Sequence, residues 1–387
     1  MTIKGIAWDH RRCWGPLDAS IAPYAAATGQ QVAWDRRSLY SFGEGDLSEF
    51  CARYDLVIYD HPFVGQAAAE GWLLDLAPLL AAADRDAFAA DEVGPSWRSY
   101  AFEGGIYALP IDTAAQTAAW RPDLLDDEER PGTLDGVYGL AERLGRRGRH
   151  IAWPAVPTDQ LCTLITIGAS LGGTPGRGEG PFMARADVEA AVDWMRRLLA
   201  VAHPGSAGWN PIRCLDHMSA QDDVAYVPWL FNYVNYQTPP RERPIRFGAS
   251  PRVDARIPAR TILGGAGIGV SRTSADPQAA FDYAMYLSRP AFQAGDYVRH
   301  GGQPGSRTAW TSDACNALTG GFFRDTLPVL DASYLRPTYP GFLTLFHEAT
   351  ARLDAVLREG APAAAFADWL NGEHARRGAA AQVGVGA

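Results

Sequence analysis

One stretch, GGIYALPIDTAAQTAAWRPDLL at residues 104–125, constrains the fold more than any other part of the chain. It opens on a turn, Glu103-Gly104-Gly105, between short apolar or aromatic runs at 99–102 and 106–109, the pattern of a tight hairpin. The second run is therefore expected to be a strand. Pro110 then removes a backbone donor, and the small residues Thr113, Ala114 and Ala115 lead into an apolar run ending at Trp120. A strand built this way leaves one sheet and enters another, which is how a chain crosses between two lobes. Asp112 is the polar residue at the crossing and is expected to face a gap of the kind that holds small molecules. An ordinary surface hairpin is the competing reading.

Length favours the crossing, because 387 residues exceed what one hydrophobic core organises. A net charge of −9, without four adjacent basic residues anywhere, argues against nucleic acid as a partner. The five cysteines, Cys13, Cys51, Cys162, Cys214 and Cys315, are scattered and form no CxxC, so neither a disulfide framework nor a zinc site is expected. After Met1 the chain enters the apolar run 3–8 directly, with no leader-like segment, and no run is long enough to span a membrane. The chain is expected to be cytoplasmic if native as written, or exported if a leader has been removed.

The first hundred residues alternate strand-like and helix-like patterns. Strands are expected at 3–8, 31–34 and 56–59, with helices at 17–27, 47–54 and 64–70, a βαβ order that builds a parallel sheet. Two strands end in similar tips, Trp8-Asp9-His10-Arg11-Arg12 and Asp60-His61-Pro62, and Arg36 and Arg37 follow the other. Ligands of parallel α/β sheets lie beyond the carboxyl ends of the strands, which makes these tips candidate binding residues. Each pair alone is better explained by a helix cap and its loop, and only the occurrence of both in one lobe brings the two readings level. A metal is not expected, since neighbouring tip residues point to opposite sides and neither pair has helical i, i+4 spacing.

Beyond the crossing, helices are expected at 134–144, 159–171 and 187–199, with a strand at 150–153. The glycine-rich 172–180 is not followed by Gly-Lys-Ser/Thr, which excludes a phosphate loop, and no cofactor is expected. The most aromatic segment runs from Tyr226 through Trp229, Asn232 and Tyr233 to Tyr236. Flat faces beside hydrogen-bonding groups hold sugars and similar polar rings, and Trp153 is a further candidate face. Core packing is the alternative for the same residues. After a proline- and arginine-rich stretch with one strand at 245–249, the segment 260–271 alternates apolar residues with Gly264, Gly265, Gly267 and Gly269, the pattern of a second crossing. Helices at 276–287, 290–298, 322–330, 342–358 and 363–376 follow, Gln303 lies in a loop at 301–307, and 378–387 is expected to fray.

The βαβ opening, the stretch quoted above, the return GGAGIGVSRTSADPQAAFDYAMYLSRPAFQ at 264–293 and the closing helices resemble, over nearly the whole chain, the family-1 (sugar-type) extracellular solute-binding proteins of ABC importers. The resemblance implies an α/β, two-lobed periplasmic-binding-protein-like fold (type II), with lobes of 1–112 plus 265–330 and 113–264 plus 331–387 joined by hinge crossings. It also implies a monomer that closes on a small-molecule solute and serves an ABC transporter permease in the periplasmic or extracellular space. By position it puts solute contacts at Asp9, His10, Asp60, His61, Asp112, Trp153, Trp229, Asn232 and Gly264, Gly265 and Ala266. The residues themselves add Trp8, Arg11, Arg12, Arg37, Tyr226, Tyr233 and Gln303. The two arginines of the first tip and the two tip histidines, His10 and His61, suit a carboxylate or phosphate, because Arg offers a bidentate donor fork. The competing class is a cytosolic enzyme or sensor on this scaffold, the enzyme variant resembling the thiaminase type, with Cys13 as nucleophile ionised by its basic neighbours.

Overall fold

In the computed structural model, which describes residues 2–384, β1 (Thr2–Trp8) lies between two parallel partners. It pairs with β2 (Gln31–Arg37) from Thr2↔Gln31 to Trp8↔Arg37, and with β3 (Leu56–Tyr59) at Gly5↔Leu56 and Ile6↔Val57. All three strands therefore end at one edge. The chain divides into two compact units, the first made of Met1–Ala114, Tyr233–Asn235 and Gly264–Leu327, the second of Ala115–Asn232, Tyr236–Leu263 and Pro328–Ala387. The visit of Tyr233–Asn235 to the first unit is not foreseen by the sequence pattern.

In the first unit β10 (Leu263–Val270) joins β3 antiparallel, from Gly267↔Tyr59 to Val270↔Leu56. The hairpin expected around Gly104 is present as β4 (Ala101–Phe102) and β5 (Gly105–Ile106), with Glu103 and Gly104 at positive φ in the turn. The core under this sheet contains Ile3, Leu56, Ile58, Leu109, Ile268, Phe281 and Leu287. The helix α1 (Arg11–Thr28) starts well before the expected residue 17, directly on the β1 tip. Pro16 misled the pattern: it sits within the helix, where the lost donor is outweighed by a face that buries Cys13, Leu17 and Tyr24. Two short helices follow β2, α2 (Leu39–Glu44) and α3 (Leu47–Cys51).

The crossing strand β6 (Leu109–Trp120) is buried along its entire length and runs through the boundary between Ala114 and Ala115. In the second unit its later half pairs antiparallel with β8 (Val224–Phe231), from Gln116↔Phe231 to Trp120↔Tyr226, and with β9 (Arg246–Gly248). The short β7 (His150–Ile151) is parallel to β8. Helices Pro157–Ser170, Arg185–Val201 and Phe342–Glu359 pack on this sheet through Leu164, Ile165, Val188, Met195, Leu345 and Leu353. The last helix is Ala363–Gly384, so 378–384 is helical rather than frayed, as its alanine run favours; 385–387 lie outside the described residues. Among the described residues no helix is long and apolar enough to cross a membrane.

Candidate functional site

The strand tips of the first unit are built as caps. His10, rather than Asp9, caps α1: its Nδ1 accepts the Arg12 N–H at 3.1 Å, which puts the neutral ring's proton on Nε2. Burial, and then the Arg12 charge, lower the His10 pKa to about 4, so the ring is neutral at physiological pH. Its edge meets the Tyr233 ring at 4.9 Å. Asp60 caps the short turn His61–Phe63, with Oδ1 accepting the His61 N–H at 2.8 Å and lying 3.1 Å from His61 Nδ1. Asp9 and Arg11 are exposed at the same edge, whereas His61 is buried.

Arg12 and Asp112 correct two expectations at once. Arg12 donates from Nε and Nη2 to the two oxygens of Asp112, both at 2.8 Å, and neither side chain is open to solvent. The guanidinium lies 4.1 Å from the Tyr233 ring centre and 5.7 Å from that of Trp8. Arg12 is thus a pillar between α1 and β6 and not an open anion clamp, and Asp112 has spent both oxygens on it. Burial raises the Asp112 pKa to about 6 against the pull of Arg12, with Asp60 adding repulsion. The guanidinium keeps its proton throughout.

Two further parts of the sequence reading resolve into packing. Gln303 is fully buried; its side chain accepts the Val234 N–H at 3.0 Å and donates to the Thr113 carbonyl at 2.7 Å, while Thr113 N–H returns to the Gln303 carbonyl at 3.0 Å. It fastens the crossing strand. Gly265, at φ +126°, admits the backbone of Asp112: a Cβ there would lie 2.3 Å from the Asp112 carbonyl oxygen. Gly264 and Ala266 flank it, buried, so the close approach is made by backbone. Cys13 is buried, and the loss of water drives its thiol pKa well up. Burial outweighs the opposing pull of the Trp8 backbone, Arg12 and Arg37, so the conditions for an ionised nucleophile are not met.

In the second unit, Trp153 and Tyr226 belong to the core and not to a solute platform. The Trp153 indole donates to Thr163 Oγ1 at 3.0 Å, and burial raises the Tyr226 pKa. Asn232 accepts the Ala115 N–H at 3.3 Å and donates its own N–H to the Ala115 carbonyl at 3.1 Å, closing β8 onto β6. Trp229 is buried as well, but its indole Nε1 has no hydrogen-bond partner among the described residues.

Sequence reasoning missed one cluster, at the far end of β8 from Asn232. His203, His217 and Asp223 bring their ligand-type atoms within 4.8 Å of one another. His203 Nδ1 accepts the Gly205 N–H at 3.0 Å, so its proton sits on Nε2, 3.2 Å from Asp223 Oδ2; His217 Nε2 is 2.7 Å from Oδ1. A protonated Nε2 has no lone pair to offer a cation, and the trio is a hydrogen-bond cluster around Asp223. No local spacing announces it, because the three residues come from a turn, a helix and a strand start.

Comparison with known proteins gives this geometry a context. The sequence model of the family described as bacterial extracellular solute-binding protein matches residues 38–294. A probable amino-acid ABC transporter periplasmic-binding protein of Sinorhizobium fredii is 27% identical over 196 residues, 49% of this chain and 43% of the relative. The chain therefore spans less than half the length of that relative. The fold is similar to that of maltose-bound MalE3 of T. maritima, with a TM-score of 0.83 at 17% identity over 96% of this chain and 98% of that one. It is also similar to an ABC transporter solute-binding protein from Agrobacterium radiobacter K84 in complex with ribitol, with a TM-score of 0.80 at 16% identity over 97% and 98% of the two chains. The likeness shows the two-lobed α/β fold of periplasmic binding proteins.

Proposed function

Because the chain belongs to the bacterial extracellular solute-binding proteins, we propose that it captures a small polar solute, a sugar, sugar acid or other carboxylate, for an ABC importer permease. The observation that carries this reading is a set of buried donors left unspent. The indole N–H groups of Trp8 and Trp229 have no partner among the described residues. A buried polar group without a partner costs about 1–3 kcal/mol, a cost a bound solute removes. The proposed contacts are Trp8, Asp9, His10, Arg11, Arg37, Asp60, His61, Trp229 and Tyr233. The relatives' ligands, maltose and ribitol, support a polyhydroxylated solute, and the amino-acid transporter relative supports a carboxylate.

In this reading the protein works as a monomer in the periplasmic or extracellular space and holds the solute by closure of its two units about the crossings. A thermal-shift screen of sugars, polyols, sugar acids and amino acids tests it, since a ligand of the native state raises the melting temperature by mass action. Small-angle scattering with the best hit then measures closure. No stabilisation by any of these classes would refute the solute-binding reading; stabilisation without a smaller radius would refute closure alone.

A further inference from the structure

Arg37 is a buried cation to which the described residues offer no carboxylate. It is 7% exposed, at the carboxyl end of β2. Two of the three other buried arginines are matched, Arg12 by Asp112 and Arg121 by Asp123 and Asp222. Among the described residues the Arg37 side chain makes one hydrogen bond, from Nη2 to the Ile58 carbonyl at 2.7 Å, and its Nε has no partner. Its flat face rests on Phe50, 4.3 Å from the ring centre, and Phe42 lies at 5.5 Å. Aromatic faces and one carbonyl replace only part of the hydration that a guanidinium loses on burial.

The surroundings point to what would complete it. Arg37 is the register partner of Trp8, so in the parallel pair the two side chains share a face of the sheet. Both meet Phe42, whose ring centre is 4.8 Å from that of Trp8, and the 2% exposed Trp8 also keeps an unpartnered N–H. The α1 helix begins three residues beyond Trp8 with no acidic residue in its first turn, so its N-terminal dipole adds positive potential to the same edge. Burial lowers the Arg37 pKa to about 10, with only two thiols opposing, and the group stays charged at neutral pH.

We propose that the solute is a small organic acid whose carboxylate pairs with Arg37, taking the Nε–H and the Trp8 indole N–H as its two donors. The inference deepens the solute-binding reading and rests on it. A carboxylate matches two unspent donors and one unmatched positive charge; a phosphate brings more charge and more acceptors than these groups satisfy. Arg12, held by Asp112, supplies none of the recognition.

The test uses wild type, Arg37→Met and Arg37→Lys, melted with formate, acetate or D-glucuronate against equal ionic strength of sodium chloride, and with D-glucose, ribitol and phosphate. Wild type is expected to gain several degrees with the acids beyond the chloride control. Arg37→Met loses the gain, and Arg37→Lys keeps part of it. Without ligand, Arg37→Met is expected to melt at or above wild type, because an unmatched buried charge has been removed. A ligand-free loss of several degrees would show a structural arginine and overturn the proposal. Acid responses that persist in Arg37→Met, or a preference for phosphate, would also overturn it. Stabilisation by glucose or ribitol with none by the acids would overturn the acid and leave solute binding standing; no response to any probe would overturn both.

Discussion

Asp112→Asn isolates the interaction on which the first unit's crossing strand depends. Both members of the Arg12–Asp112 pair are excluded from water and share two 2.8 Å hydrogen bonds. Asparagine fills the same space but leaves Arg12 charged and unmatched, because a guanidinium does not shed its proton at accessible pH. Breaking a buried pair from one side costs about 3–5 kcal/mol. For a unit of about 180 residues, at about 2–4 °C per kcal/mol, the melting temperature should fall by about 6–20 °C. Arg12→Met leaves the opposite remnant, a carboxyl that can neutralise itself. With the cation gone, its pKa rises above the value of about 6 it has beside Arg12. Its native pKa then exceeds the unfolded one by more than in wild type, so the penalty is full at high pH and fades as pH falls toward the unfolded value of 3.8. Urea unfolding of both single variants and of Arg12→Met/Asp112→Leu, near pH 7.5 and near pH 5, provides the assay. The double variant is expected to recover most of the loss. A cost below about 1 kcal/mol for Asp112→Asn, or the same pH response in both single variants, would refute the reasoning.

Four other substitutions or treatments probe separate parts of the structure. His10 has a native pKa of about 4 against 6.5 unfolded, so the unfolded chain protonates first and stability falls as pH drops through that window, while Asp112 acts in the opposite sense between about 6 and 3.8. His10→Asn keeps the cap and removes the first effect, so its urea midpoint should fall less than that of wild type between neutral pH and pH 4.5; parallel curves would count against it. Gly265→Ala drives a methyl into the Asp112 carbonyl at positive φ and should cost more than about 1 kcal/mol in urea unfolding, an unchanged midpoint contradicting the close approach. Iodoacetamide should label native Cys13 no faster than unfolding exposes it, and rapid labelling below pH 7 would revive the nucleophile. Trp229→Phe should leave ligand-free melting within a few degrees of wild type while weakening the best solute from the screen about tenfold, by calorimetry; unchanged affinity would remove Trp229 from the site.

The βαβ opening, the hairpin at Gly104 and both crossing strands could be read from sequence because each is a local pattern, an apolar period with its turn residues. The strand tips were legible for the same reason: a parallel sheet gathers its carboxyl ends at one edge whatever the side chains do. Helix starts were less so, since His10 caps α1 through a ring nitrogen, a role that ordinary capping preferences do not mark.

Which polar groups of that edge are free for a solute was decided only in three dimensions. Arg12 and Arg37 look alike in sequence, each the second of an arginine pair after a strand. One meets a carboxylate 100 residues away on the crossing strand, and the other meets two phenyl rings and a carbonyl. Trp153 and Trp229 are equally aromatic in sequence, yet a threonine satisfies one indole and nothing among the described residues satisfies the other. Composition and period determine which elements form and which edge their tips share. Whether a buried donor finds an acceptor depends on contacts between distant segments, which no local pattern encodes and only the packed chain fixes.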